Sequence, residues 1–191
     1  MIRAATLSLI LVVLGAAFCA DAQQSAEQLL RDAQQLEKDG SAQKAAEAYQ
    51  KFLEKNADHV QATDARYRLA KCYDQLGMID EAIGQYKLVL ASGQKNFRNR
   101  TDAFYALGKL HGSMKKYAEA VEVFEKMLAE GAGLYEDEVL NLCGGYYAIL
   151  QKYNESAAKF NILKRKPGSA LAEQAAYKLG VLWLKAEQLD N

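Results

Sequence analysis

From residue 25 onward, apolar side chains recur at spacings of three and four, and polar residues fill the intervals. Nine such stretches follow one another, at 25–38, 42–55, 60–76, 79–92, 97–114, 117–130, 134–151, 153–165 and 170–188. That period puts the apolar residues on one face of a helix, so each stretch predicts an amphipathic α-helix. The connections are short and rich in loop formers: Asn56 to Asp58, Ser92 to Lys95, Gly131 to Gly133, and Pro167 to Ser169. No stretch shows the strict alternation of a half-buried strand, and the pattern therefore predicts an all-α chain.

The helices repeat in pairs. A small residue precedes an aromatic by four positions in Ala45 and Tyr49, Ala82 and Tyr86, Ala120 and Phe124, and Ser156 and Phe160, with 37, 38 and 36 residues between successive pairs. Upstream of each pair lies a second pattern, a large residue, a small one and a bulky one. It reads Leu29, Ala33, Leu36; Leu69, Ala70, Tyr73; Leu107, Gly108, His111; Cys143, Gly144, Tyr147; and Leu179, Gly180, Trp183. Between the two patterns sits a tight turn, at Asp39-Gly40, Leu76-Gly77, Lys115-Lys116 and Gln151-Lys152. A period of this length marks a stacked-repeat architecture, in which each unit buries its apolar face on its neighbours.

The unit resembles the tetratricopeptide repeat, whose pattern runs W-x2-L-G-x2-Y, then A-x3-F, then P. Gly108, Gly144 and Gly180 keep the Gly of the Leu-Gly pair, Ala33 and Ala70 replace it in the first two units, and the sole Pro is Pro167. The resemblance implies an α-solenoid of antiparallel helix pairs forming a right-handed superhelix. About four and a half units are expected, near 26–59, 63–96, 101–134, 137–168 and, in part, 173–191. In such a unit the small residue lets two helices approach and the aromatic of the second helix fills the gap.

Residues 1–22 stand outside the repeats. Arg3, an uncharged stretch from Ala4 to Ala20, and the small residues of Ala20-Asp21-Ala22 predict a secretory signal peptide cut after Ala22. An uncleaved anchor and lipid attachment at Cys19 are the alternatives; Phe18 sits where lipoprotein processing requires a small residue. The whole chain holds 24 basic and 24 acidic residues, and removing Arg3 and Asp21 with the leader leaves the balance unchanged. No net field steers the chain toward nucleic acid or a membrane surface. Membrane association is expected only if the leader stays or is lipidated. Lys164-Arg165-Lys166 reads as a cationic helix end that offsets the dipole, with a phosphate patch as the other reading.

Candidate chemistry is sparse. Cys72 and Cys143 lie two units apart and read as small buried fillers rather than a disulfide. His59 and His111 fall in different units, and His111 occupies a bulky packing slot. There is no paired Cys spacing, H-E-x-x-H, phosphate loop or G-x-S-x-G, so the sequence predicts neither catalytic residues, metal nor cofactor.

In tetratricopeptide arrays the first helix of each pair lines the concave surface. Carried to this chain, one stripe reads Leu30, Tyr67, Tyr105, Asn141 and Tyr177, and the next reads Gln34, Lys71, Lys109, Gly145 and Val181. Tyr67 with Lys71 and Tyr105 with Lys109 are i,i+4 pairs, and Arg68 flanks the first. These residues form the candidate groove, with flat rings for contact and cations for carboxylates. The alternative is that the rings cover helix backs while the lysines are solvated. Asp64 and Asp102, one turn earlier, give the surface mixed charge.

The last helix carries Val181-Leu182-Trp183-Leu184, apolar on consecutive positions, and no second helix follows it. Val181, Trp183 and Leu184 are therefore a candidate end interface, either for another molecule or for the continuation of a longer chain. Export together with the repeats resembles tetratricopeptide proteins of the bacterial envelope, of the CpoB and BamD kind. That resemblance implies a periplasmic, non-catalytic scaffold binding a peptide or protein in its groove. The alternative is a structural or assembly subunit of an envelope complex, working through its terminal helix and able to form homo-oligomers.

Overall fold

The computed structural model describes residues 25–189, and the leader and Cys19 lie outside them. Among the described residues the structure is helical without strands. The helices are α1 (25–38), α2 (Ala42–Lys55), α3 (Ala62–Gln75), α4 (Ile79–Ala91), α5 (Arg100–Ser113), α6 (Tyr117–Glu130), α7 (Glu136–Ile149), α8 (Tyr153–Arg165) and α9 (Ala172–Leu189). One 3-10 turn, Gly133–Tyr135, leads into α7. Their order and spans follow the apolar period. The described residues fall into two compact units, divided between Val89 and Leu90.

In the first unit, α1, α2 and α3 share one core. Ala26, Leu30 and Ala33 from α1 meet Ala45, Ala46, Tyr49, Phe52 and Leu53 from α2, and Ala65, Leu69 and Cys72 from α3. Leu30, which the sequence places on the groove stripe, is buried in this core. The positions 26, 30 and 33 form a single apolar face at helical spacing, and burying that face takes Leu30 with it. The α2 helix stops at Asn56, whose amide Nδ2 donates to the Phe52 carbonyl at 3.0 Å and satisfies one of the free C-terminal acceptors.

In the second unit, α5 packs on α6, α6 on α7, α7 on α8 and α8 on α9. Phe124, Met127, Val139 and Cys143 form one core, and Leu140, Phe160, Leu163, Leu179 and Leu182 form another. The small-residue slot has a direct steric cause here. A Cβ built on Gly108 would lie 2.3 Å from the Phe124 ring, and one on Gly144 would lie 2.6 Å from the Phe160 ring. Both rings are buried, so neither can step aside. Ser156 occupies the position filled by alanine in the other three units, and its buried hydroxyl donates to the Gly144 carbonyl at 2.7 Å. That bond makes a polar atom admissible at a fully buried site.

The four intra-unit turns share one geometry. The amides of Gly40, Gly77, Lys115 and Gln151 donate to carbonyls three residues back, and the next amides donate to Leu36, Tyr73, His111 and Tyr147. This double closure needs a left-handed residue at its centre. Gly40 and Gly77 supply it freely at φ 73 and 72, whereas Lys115 and Gln151 are held at φ 59.

Cys72 and Cys143 are both free and buried, and burial pushes their thiols up, to about 11 and about 12. Thiols so protonated are poor nucleophiles. His111 is buried in its packing slot. In the basic cluster, Lys164 and Arg165 sit in the last turn of α8, while Lys166 pairs with Glu136 and, at 2.7 Å, with Asp137 at the start of α7. Among the described residues no helix is long and apolar enough to cross a membrane.

Candidate functional site

Each unit carries its own part of the first-helix face, built from rings and ions one helical turn apart. In the first unit, Glu37 at the end of α1 is the centre. Its carboxylate accepts the Tyr49 hydroxyl at 2.7 Å and an Arg68 N–H at 2.9 Å, with the Lys71 ammonium 3.7 Å away. Arg68 also donates through Nε to Asp64 at 2.7 Å, one turn back on α3. The Lys71 ammonium lies 5.9 Å from the centre of the Tyr67 ring, and that ring meets Tyr86 edge-on at 6.1 Å.

Burial pushes the Glu37 carboxyl up, but the hydrogen bonds from Tyr49 and Arg68 and the charges of Arg68 and Lys71 outweigh it. The group is held below the ordinary carboxylate value. Burial, and then the bond to Glu37, drive the Tyr49 hydroxyl far above the usual phenol value. The cations expected to meet a ligand carboxylate are thus already engaged by one from the neighbouring repeat.

In the second unit, the Tyr105 ring stacks on Tyr135 at 4.3 Å, the planes 17° apart. The Tyr105 hydroxyl donates to Glu138 at 2.5 Å, and the Tyr135 hydroxyl donates to Asp102 at 2.8 Å. Lys109 completes the cluster, 3.4 Å from Glu138 and 5.6 Å from the centre of the Tyr105 ring. Asn141 accepts Lys178 at 2.7 Å, and Lys178 lies 5.7 Å from the centre of the Phe160 ring. Burial holds the Lys178 ammonium below its usual value.

Beside Lys178 opens a notch of about 230 Å³, lined by Gly145 and Ala148 of α7, Phe160 of α8, and Tyr177, Val181 and Leu182 of α9. Nothing lies within 4 Å of where a Gly145 Cβ would stand, so the missing side chain itself forms part of this space. Tyr177 stands 74 % exposed at its edge. An apolar floor with a few polar groups at the rim is the usual composition of a site that takes a side chain from a partner. Among the described residues no three His, Cys, Asp or Glu side chains converge as metal ligands.

Two models described as tetratricopeptide repeat match the chain, one over residues 36–101 and one over residues 101–129. The chain carries tetratricopeptide repeats. Solved structures agree on the fold. A tetratricopeptide repeat protein from Parabacteroides merdae superposes with a TM-score of 0.71 at 20% identity, over 86% of this chain and 62% of that one. The chain therefore spans less than two thirds of that relative. YrrB, a tetratricopeptide protein with an unusual peptide-binding site, gives 0.65 at 21% identity, covering 83% and 76% of the two chains. MamA gives 0.64 at 17%, covering 86% and 84%. No curated protein matches the chain.

Tetratricopeptide repeats are generally non-catalytic scaffolds for other proteins, and their first helices supply the positions named above. Tyr67, Arg68 and Lys71 come together in the first unit, and Tyr105 and Lys109 in the second, beside the Asn141–Lys178 pair and Tyr177. Glu37, Tyr135 and Glu138 complete these clusters and were missed by sequence reasoning. Glu37 sits on the turn beyond the stripe, and Tyr135 belongs to the 3-10 turn before α7. One signal was available for Glu138: it closes the acidic run Glu136-Asp137-Glu138 in the first turn of α7, where a helix dipole favours carboxylates.

Proposed function

We propose that this chain is a non-catalytic scaffold that works outside the cytoplasm, in a bacterial envelope, and holds a peptide or protein segment on the first-helix face of its second unit. The notch between α7 and α9 carries this reading. It takes one apolar side chain of the partner, while the Tyr177 ring and the Tyr105–Tyr135 stack offer flat contact area at low entropy cost. The Lys109–Glu138 ion pair and the Lys178–Asn141 hydrogen bond orient the partner, while an apolar side chain anchors it in the notch. A peptide-binding site on YrrB, a fold neighbour, is consistent with this use of the repeats. Export rests on the leader, Arg3 through Ala22, and predicts a mature chain beginning at Gln23 when the periplasmic protein is sequenced from its N-terminus.

The test is selection of peptides from a random display library against the chain, followed by titration of the selected peptides into wild type and Gly145→Leu. The substituted side chain enters open space, so the fold is retained while the notch is filled. Binding should weaken at least about tenfold, as loss of a central anchor does. Equal binding to both proteins would place the site elsewhere.

A further inference from the structure

The notch exists because two side chains are missing from a place that the preceding repeat fills. Gly108, Gly144 and Gly180 stand 36 residues apart, so each residue of the notch has a counterpart 36 positions earlier. Tyr146 holds the position of Leu182, Lys109 that of Gly145, Phe124 that of Phe160, and Gly112 that of Ala148. In that earlier place the Tyr146 ring stacks on Phe124, the centroids 6.4 Å and the planes 16° apart. Its hydroxyl lies 2.2 Å from where a Gly112 Cβ would stand. One repeat later leucine replaces the tyrosine and glycine the lysine, and about 230 Å³ is left beside the Phe160 ring. The opening comes from this change of side chains within α7 and α9. Trp183 and Leu184, exposed on α9, do not line it.

The charge beside the notch is unmatched in the same way. In the first unit Arg68 and Lys71 share Glu37, and in the second Lys109 meets Glu138. Lys178 donates instead to the neutral amide of Asn141 and, among the described residues, forms no ion pair. Its ammonium lies 5.7 Å from the centre of the Phe160 ring, within reach of a carboxylate at the rim while a ring fills the floor.

An apolar cavity of about 150 Å³ holds benzene, so about 230 Å³ has room for a phenyl ring. A hydroxyl on that ring is excluded. Ala148 carries a methyl where Gly112 carries none, so a ring lying on Phe160 as Tyr146 lies on Phe124 would press its hydroxyl onto that methyl. We propose that the notch, taken as the peptide site, selects a phenylalanine of the partner, its ring stacked on Phe160, with an adjacent aspartate or glutamate that pairs with Lys178.

Peptides selected from the display library whose binding is weakened by Gly145→Leu should share a phenylalanine with an acidic neighbour. Replacing that phenylalanine by alanine should weaken binding at least about tenfold, as loss of a central anchor does. Replacing it by tyrosine should cost about tenfold, and Ala148→Gly in the chain should remove most of that penalty. Lys178→Met and neutralising the acidic neighbour as its amide should each weaken binding several-fold, and together no more than either alone. Circular dichroism checks that each variant keeps its helical fold.

Peptides sensitive to Gly145→Leu but anchored by leucine, methionine or tyrosine overturn the proposal and leave the notch as the peptide site. A tyrosine penalty that survives Ala148→Gly, or additive losses at Lys178 and the acidic neighbour, overturn it in the same way. A library that yields no peptide sensitive to Gly145→Leu overturns both the proposal and the site.

Discussion

In the first unit glycine occupies the turns and alanine the helix crossings, whereas in the complete repeats of the second unit glycine occupies the crossings and Lys115 and Gln151 the turns. Gly40 and Gly77 close the turns at positive φ, and Ala33 and Ala70 are buried in the slots. Lys115 and Gln151 close the later turns in the same left-handed conformation, and Gly108 and Gly144 lie under phenylalanine rings. The aromatic of the first repeat differs as well, since Tyr49 anchors its hydroxyl on Glu37. One backbone plan is thus met by different residues, and what a position demands is set by whatever is pressed against it. The turn demands a left-handed residue and tolerates a strained one. The crossing excludes a Cβ only where a ring already fills the space.

The largest effect should come from removing that ring. Phe124→Ala is expected to destabilise the chain by about 3 to 5 kcal/mol, as large-to-small core changes do, and a thermal or urea melt measures it. An unchanged midpoint would mean that Phe124 does not hold α5 and α6 together.

The ion cluster of the first unit gives a smaller effect that depends on pH. The Glu37 carboxyl is lowered by its partners in the folded state, so the unfolded chain binds its proton more readily. Its contribution is present above the ordinary carboxylate value and is lost as pH falls through the lower folded value. Arg68→Met should flatten that acid dependence and bring the Glu37 titration, followed by carboxyl NMR, back toward the ordinary value; on the order of 1 to 3 kcal/mol is at stake for a hydrogen bond to a charged group. A Glu37 titration indifferent to Arg68 would remove this cluster from the account.

The smallest effect separates the turns. Lys115→Gly and Gln151→Gly should each stabilise the second unit by a few tenths to about 1 kcal/mol, because glycine relieves the left-handed strain but has more freedom to lose on folding. The reverse change in the first unit, Gly77→Lys, should cost a similar amount. Paired melts would decide it, and a loss from Lys115→Gly would show that its side chain matters more than its backbone.

The helices were legible because apolar spacing is a local property, and the spans observed stay close to those it predicts. Ala45, Ala82 and Ala120 are buried where the repeat placed them, and Ser156 required the structure to show how a hydroxyl is satisfied there. The groove was less legible for the opposite reason. Arg68 and Lys71 look like free cations in sequence, yet Glu37 of another repeat engages both across more than thirty positions. Leu30 occupies a groove register but sits in the core. Tyr135 stacks on Tyr105 only because a short 3-10 turn presents it. Such pairings belong to the packing of one repeat on the next, which a repeat pattern indicates without specifying its side chains.

Gly144 and Gly180 share one motif position and differ only in what faces them, so substituting both measures the central claim. Gly144→Ala drives a methyl into the Phe160 ring and should lower stability by about 1 to 3 kcal/mol. Gly180→Ala adds a methyl to an open helix face and should raise it by about 0.5 to 1 kcal/mol. Opposite signs in parallel urea melts are the predicted result. Equal losses would contradict it, by showing that the face of α9 is already covered.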